Sequence, residues 1–183
     1  TTEPRAPGLV EVDHLASPAA LLAWAREARI VDAAEATWVE QAWAAAPASG
    51  DAALTDTLTI RALIDPVLAG RDLDALSWRW AEAIARSVLR PAPQKARLQV
   101  GVEPALLIPD RLTDQLVDLV RHADRRRLRA CPLDEGGCGW LFLDRSRNGS
   151  RRWCSMDDCG TQVKSRRLTE RRRDARPSLL PQR

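Results

Sequence analysis

Tyrosine is absent from this 183-residue chain, phenylalanine and methionine occur once each, and histidine occurs twice. Without Tyr and with a single Phe, no aromatic repeat offers the stacking sheet on which single-stranded RNA is commonly read. The two histidines, His14 and His122, are far apart in the chain and belong to no zinc-hydrolase motif. A phosphate-binding glycine loop and a nucleophile elbow are also missing, so no catalytic residue is assigned and an enzyme is not expected. No run of about 18 apolar residues exists, which excludes a helical membrane span. Thr1–Gly8 holds no apolar signal-like region, so a cytoplasmic location is the expectation. No cysteine precedes position 131.

What is present is unevenly placed. Apolar residues make up 45% of the chain, enough for a packed core. The net charge of +3 conceals a split. Residues 1–120 carry 11 Lys/Arg against 17 Asp/Glu, whereas residues 121–176 carry 16 against 8. An acidic part and a basic part of one chain do different jobs. After position 120 every cation but Lys164 is arginine. Arginine forks onto phosphate or guanine where lysine acts as a point charge.

Periodicity then divides the chain. Residues 1–12 read as a flexible lead-in. Ser17-Pro18 reads as N-cap and first residue of a helix with Leu21, Leu22, Ala25 and Ala28 on one face. Asp32 and Glu35 have capping-box spacing for a second helix through Trp38, Val39, Ala42 and Trp43. Pro47–Gly50 breaks it, and a third helix is predicted over residues 52–64, ended or kinked by Pro66. Asp72 caps a fourth, with Leu73, Leu76, Trp80, Ile84 and Val88 at helical spacing. Leu98, Val100 and Val102 alternate as a short strand, with Leu106–Ile108 as a candidate continuation. Asp110 caps a fifth helix with Leu112, Leu116, Leu119, Val120 and Ala123 inward, which runs into Arg125–Arg129. Residues 13–123 thus form a mainly helical domain, 124–176 a cysteine module, and 177–183 a tail.

Cys131 and Cys138 have six residues between them, and Cys154 and Cys159 have four. Fifteen residues separate the pairs. Two short pairs flanking a hairpin-sized segment suit one tetrahedral Zn²⁺, each pair placing two thiolates on one side of the ion. A reducing compartment favours metal over disulfides. Four cysteines fill the shell, so the zinc is structural. Asn148-Gly149 predicts a two-residue hairpin turn, with Trp140–Leu143 and Arg151–Trp153 as its strands. Residues 161–175 read as a basic helix. Knuckle, hairpin and a helix with the last ligand at its start follow a treble-clef-like order. Trp140, Phe142, Trp153 and Met156 are expected to form the miniature core, and zinc to supply much of the folding energy.

The stretch Arg127-Leu-Arg-Ala-Cys131, Cys138-Gly-Trp-Leu-Phe-Leu-Asp-Arg-Ser-Arg-Asn148, Arg151-Arg-Trp-Cys154 and Cys159-Gly160 resembles the CGNR zinc-finger family over roughly residues 125–173. That resemblance implies a nucleic-acid-binding finger of the kind found in bacterial transcription regulators. Residues 13–123 resemble the helical ABATE domain that usually precedes the finger, on Leu21-Leu-Ala-Trp24, Arg61-Ala-Leu and Leu73-Asp-Ala-Leu76. The family's name motif is Cys-Gly-Asn-Arg, and here the chain reads Cys159-Gly160-Thr161-Gln162. Gln162 keeps the ability to pair with adenine or phosphate.

The expected architecture is mainly α, with a short strand segment in the first domain and a zinc finger of hairpin and basic helix in the second. The expected function is transcription regulation at the nucleoid by binding double-stranded DNA. Gln162, Lys164, Ser165, Arg166, Arg167 and Arg171 would lie on the reading helix, and Arg145, Arg147, Arg151 and Arg152 would hold phosphates. The helical domain would supply a homodimer interface or bind a small-molecule effector. Trp24, Trp38, Trp43, Trp78 and Trp80 are candidates to line such a pocket, with ordinary core packing as the competing reading. RNA binding, or a ligand- or partner-binding module with the finger as a non-specific anchor, are the alternatives.

Overall fold

The computed structural model describes Asp13 and residues 15–174. The expected lead-in 1–12, His14 and the tail 177–183 lie outside the described residues. Two compact units divide between Ala123 and Asp124.

In the first unit, helix α1 (Pro18–Glu27) starts as its sequence dictates. The Ser17 hydroxyl accepts from the Ala20 N–H at 3.1 Å, and Pro18 occupies the first turn, where no amide donor is needed. Helix α2 (Ala33–Ala45) opens on a complete capping box. The Glu35 N–H donates to Asp32 at 2.8 Å, and the Asp32 N–H donates to Glu35 at 3.0 Å.

Helix α3 (Pro47–Leu68) is longer than the expected 52–64 at both ends. Pro47 does end α2, but it also serves as the first residue of α3, a position proline suits. Pro66 lies within the last turn, and the helix continues two residues beyond it.

Helix α4 (Leu73–Ala85) has Asp72 at its N-cap position, but in a left-handed conformation (φ 52°) and without a side-chain capping bond. Strand β1 (Val88–Arg90) pairs antiparallel with β2 (Arg97–Gln99), placing Leu89 opposite Leu98. Of the alternating apolar residues only Leu98 lies in a strand, Val100 and Val102 falling beyond its end, and the strand's partner lies where the helical stripe was expected to end. Leu106–Ile108 does not continue β2. Helix α5 (Leu107–His122) starts there instead, because Leu107 and Ile108 are drawn into the helical core. Asp110 is therefore inside the first turn rather than a cap. It is buried and receives two hydrogen bonds from Arg86, at 2.7 and 3.2 Å.

Helix α5 packs on α3 and α4, and α1 and α2 pack with each other and on α3. One buried cluster centres on Leu21, Val39, Trp43, Leu107 and Ile108, and a second on Ile60, Val67, Leu76, Leu116 and Val117. Arg111 braces the first. Its guanidinium donates to the Ile30 carbonyl at 2.8 Å, the Val100 carbonyl at 3.1 Å and Glu35 at 2.7 Å. The capping acid of α2 is thereby tied to α5. No helix among the described residues is long and apolar enough to cross a membrane.

The second unit begins with a short 3-10 turn, Arg125–Arg127. Strand β3 (Leu128–Ala130) then pairs antiparallel with β4 (Leu141–Leu143). Here the structure corrects the predicted hairpin: β4 pairs with the segment before Cys131, not with residues 151–153. A two-residue turn at Asn148-Gly149 would require positive φ at both residues, and only Gly149 has it (φ 59°). The Gly149 N–H instead donates to the Ser146 carbonyl, placing the glycine at the end of a four-residue turn. A π turn, Met156–Gly160, leads into helix α6 (Thr161–Asp174). The fold is mainly helical, with two small antiparallel hairpins.

Candidate metal centre and basic helix

The four cysteines come together as their spacing required. All four sulfurs lie within 4.8 Å of one another. Cys138 Sγ is 3.4 Å from Cys154 Sγ, which is 3.5 Å from Cys159 Sγ. These separations are far beyond the ~2.05 Å of a disulfide. They approach the ~3.8 Å edge of a tetrahedron built on Zn–S bonds of ~2.3 Å. Four sulfurs and no competing ligand among the described residues make this a closed, structural site for one zinc ion.

Backbone geometry presents the thiolates. The Cys131 N–H donates to the Trp140 carbonyl at 2.9 Å, extending the β3–β4 pairing to the first ligand. Within the following loop, the Gly137 N–H donates to the Pro132 carbonyl at 2.8 Å. Position 137 must lack a side chain, since a Cβ there would fall 2.7 Å from Cys131 Sγ and 2.7 Å from the Pro132 carbonyl oxygen. Burial opposes ionisation of Cys131, but N–H groups of Cys154 and Cys138 donate to its sulfur and hold its pKa below the usual thiol value. Burial pushes Cys154 well up, with Cys138 and Cys159 adding to the shift. Burial also pushes Cys159 up to about 11, with the charge on Cys138 contributing. Four thiols this close ionise together only against a counter-charge, which a bound dication provides.

The core around the site is small: Cys131, Trp153 and Val163 are buried, with Phe142 packed against them. Trp140 and Met156, expected in that core, remain substantially exposed: Trp140 lies just ahead of β4, and Met156 is the first residue of the π turn. Val163, from the first turn of α6, takes an inner place.

Asp144 is the residue that sequence reasoning passed over. It is fully buried. It accepts from the Ser146 N–H at 2.9 Å, the Ser146 hydroxyl at 2.6 Å and the Arg151 N–H at 2.8 Å. The Ser146 hydroxyl, outweighing burial, and these two amides hold its carboxyl below the usual range. Asp144-Arg-Ser146 was the available signal, since Asp commonly bonds to backbone two residues on. Arg127 and Arg129 brace the same loop. Arg127 donates to the Asp144 and Ser146 carbonyls, and Arg129 donates to the Gly149 carbonyl at 2.7 Å.

The candidate contact residues fall into distinct groups. Arg145 and Arg147 are exposed, with no ion pair among the described residues. The Arg151 guanidinium donates inward to the carbonyls of Trp153 (2.9 Å) and Cys154 and lies over the Phe142 ring. Arg152 and Arg167 both pair with Glu135. Gln162, Lys164, Ser165, Arg166 and Arg171 are exposed along α6.

The five tryptophans of the first unit do not converge. Trp43 is buried in the first cluster with Trp24 packed against it. Trp80 packs on the second, its indole N–H donating to Asp114 at 2.9 Å. Trp38 and Trp78 are exposed, Trp78 at 76%. Trp43 lines a groove of about 370 Å³ with Leu22, Ala36 and Glu40, and Trp24 a recess of about 80 Å³ with Ile60 and Leu112. His122 is at the surface, 2.8 Å from Asp118.

No curated protein matches the chain. Residues 127–172 match the family model described as CGNR zinc finger. That span takes in β3, all four cysteines, Asp144 and most of α6, so over these residues the chain is similar to a CGNR zinc finger.

Proposed function

We propose that the zinc-bearing unit binds double-stranded DNA and that the chain acts as a transcriptional regulator. In this reading α6 enters the major groove, with Gln162, Lys164, Ser165, Arg166, Arg167 and Arg171 as its contacts. Arg145 and Arg147 lie on phosphates. Arg151 acts inside the finger, holding the backbone of Trp153 and Cys154, rather than on DNA.

The observation that carries this reading is the rotational setting of α6. Val163 is its one buried residue among 161–172 and turns onto Trp153 and Cys131, leaving the cations outward. A rigid, zinc-anchored helix with a basic outer surface is what groove recognition requires. One such module buries only about 600–1,000 Å² on DNA, so useful affinity calls for a second contact. The first unit, ABATE-like in this reading, would supply it as a homodimer or respond to a small effector.

Selection on random duplex DNA with the zinc-loaded chain tests the reading, with EDTA and single-stranded RNA as controls. A zinc-dependent motif is the expected result, and its absence refutes sequence-specific reading. Arg166→Ala with Arg167→Ala is expected to weaken binding and to flatten the log K against log salt slope. Unchanged binding removes α6 from the interface.

A further inference from the structure

One carboxylate is set among the guanidinium groups of the basic unit. Glu135 lies in the loop between Cys131 and Cys138. Its Oε1 accepts from Arg152 Nε at 3.1 Å, with Arg152 Nη2 also on that oxygen. Its Oε2 accepts from Arg167 Nη2 at 3.0 Å. Each oxygen therefore serves a different guanidinium, one from the segment before Cys154 and one from α6. The acid is the more enclosed member: its side chain is 20% exposed, against 59% for Arg152 and 53% for Arg167. Both arginines have other supports. The Arg152 guanidinium lies 5.7 Å from the centroid of the Trp153 ring, and Arg167 is carried on α6, which Val163 anchors. Beside them is an open groove of about 320 Å³, lined by Glu135, Val163, Arg166 and Arg167 among others.

Two guanidinium groups held on two oxygens of one anion is the arrangement with which arginines grip a phosphate. We propose that this is a phosphodiester-binding site in which Glu135 takes the phosphate's place until nucleic acid displaces it. This inference rests on the nucleic-acid reading above and names a position for one backbone phosphate. Partly exposed ion pairs are individually weak and screened by salt, so the carboxylate is exchangeable. Its presence keeps two of the finger's cations neutralised against any polyanion that does not present a phosphate to both at once. Glu135 is thus a selectivity-setting residue. It suppresses loose electrostatic binding and yields to a correctly placed backbone.

The test uses the full, zinc-loaded chain, a random-sequence duplex DNA, and two variants of equal charge change. Glu135→Gln removes the carboxylate, while Asp134→Asn removes an exposed neighbouring one with no ion pair among the described residues. Glu135→Gln is expected to bind the duplex several-fold tighter than Asp134→Asn. Its log K against log salt slope should be steeper by up to about 0.9, for the one phosphate that the site then holds without competition. Equal behaviour of the two variants, or weaker binding by Glu135→Gln, overturns the proposal. If no form binds duplex DNA, the DNA reading falls by itself, and immobilised heparin decides the anion site. Later elution of Glu135→Gln than Asp134→Asn sustains it, and co-elution overturns it. Should Glu135→Gln fail to retain zinc, Arg152→Gln with Arg167→Gln reads the same site. A shallower slope supports it, and an unchanged slope overturns it.

Discussion

Replacing Asp144 by alanine is expected to weaken zinc binding although Asp144 is not a ligand. The carboxylate accepts two backbone N–H groups and one hydroxyl, and it is fully buried. Truncation strands all three donors. A buried donor left without an acceptor costs about 1–3 kcal/mol, and the lower end applies because the surrounding loop is only part-buried. The sum is about 3 kcal/mol. Arg129, 3.9 Å away and partly exposed, adds little. In a small metal-dependent unit, binding and folding free energies are shared. A loss of about 3 kcal/mol therefore appears as roughly a hundredfold weaker apparent zinc affinity. Competition with a chromophoric chelator at neutral pH measures it, with Asp134→Asn as the surface control. A zinc affinity of Asp144→Ala within threefold of wild type would refute the argument that this carboxylate holds the finger's loop.

Other perturbations separate the two units. Gly137→Ala would place a methyl against both Cys131 Sγ and the Pro132 carbonyl. It is expected to release zinc in the same competition assay while the far-UV signature of the helical unit persists, and full retention of zinc would contradict that geometry. Arg111→Ala should cost the helical unit about 1–3 kcal/mol in urea unfolding, because two backbone carbonyls lose a donor and Glu35 keeps only its capping bond. The pH dependence has a definite sign. Glu35 is held below the usual carboxylate range, first by its hydrogen bond from Arg111. Its contribution is present above the unfolded-state pKa and is lost as pH falls through the lower folded value. Unfolding between pH 6 and 3, followed by tryptophan fluorescence, should therefore show a steeper loss in wild type than in Arg111→Ala; equal slopes would remove Arg111 as the cause.

The capping residues Ser17, Asp32 and Glu35 were legible in the sequence because a cap is made by residues within four positions of each other. The four cysteines were legible for a related reason: zinc tolerates few ligand types, so short Cys pairs have few other uses. Strand pairing was not legible. Asn148-Gly149 carried a strong local turn signal, yet buried Asp144 gathers the Ser146 and Arg151 amides into a wider loop, and β4 pairs with β3 instead. Asp110 had the look of a cap, but Arg86, 24 residues earlier in the chain, turns it into a buried partner.

The sequence alone determined the helical class, the starts of α1 and α2, the metal's ligand set and the basic character of α6. Each depends on periodicity, on near-neighbour bonding or on the chemistry of a residue type. Only the tertiary structure decided which arginines remain outward. Arg127, Arg129 and Arg151 are bound to backbone carbonyls, Arg152 and Arg167 share Glu135, and Arg145, Lys164, Arg166 and Arg171 face solvent. A run of like charges reads alike along the chain, whereas the partner of each charge is set by residues that folding brings from elsewhere.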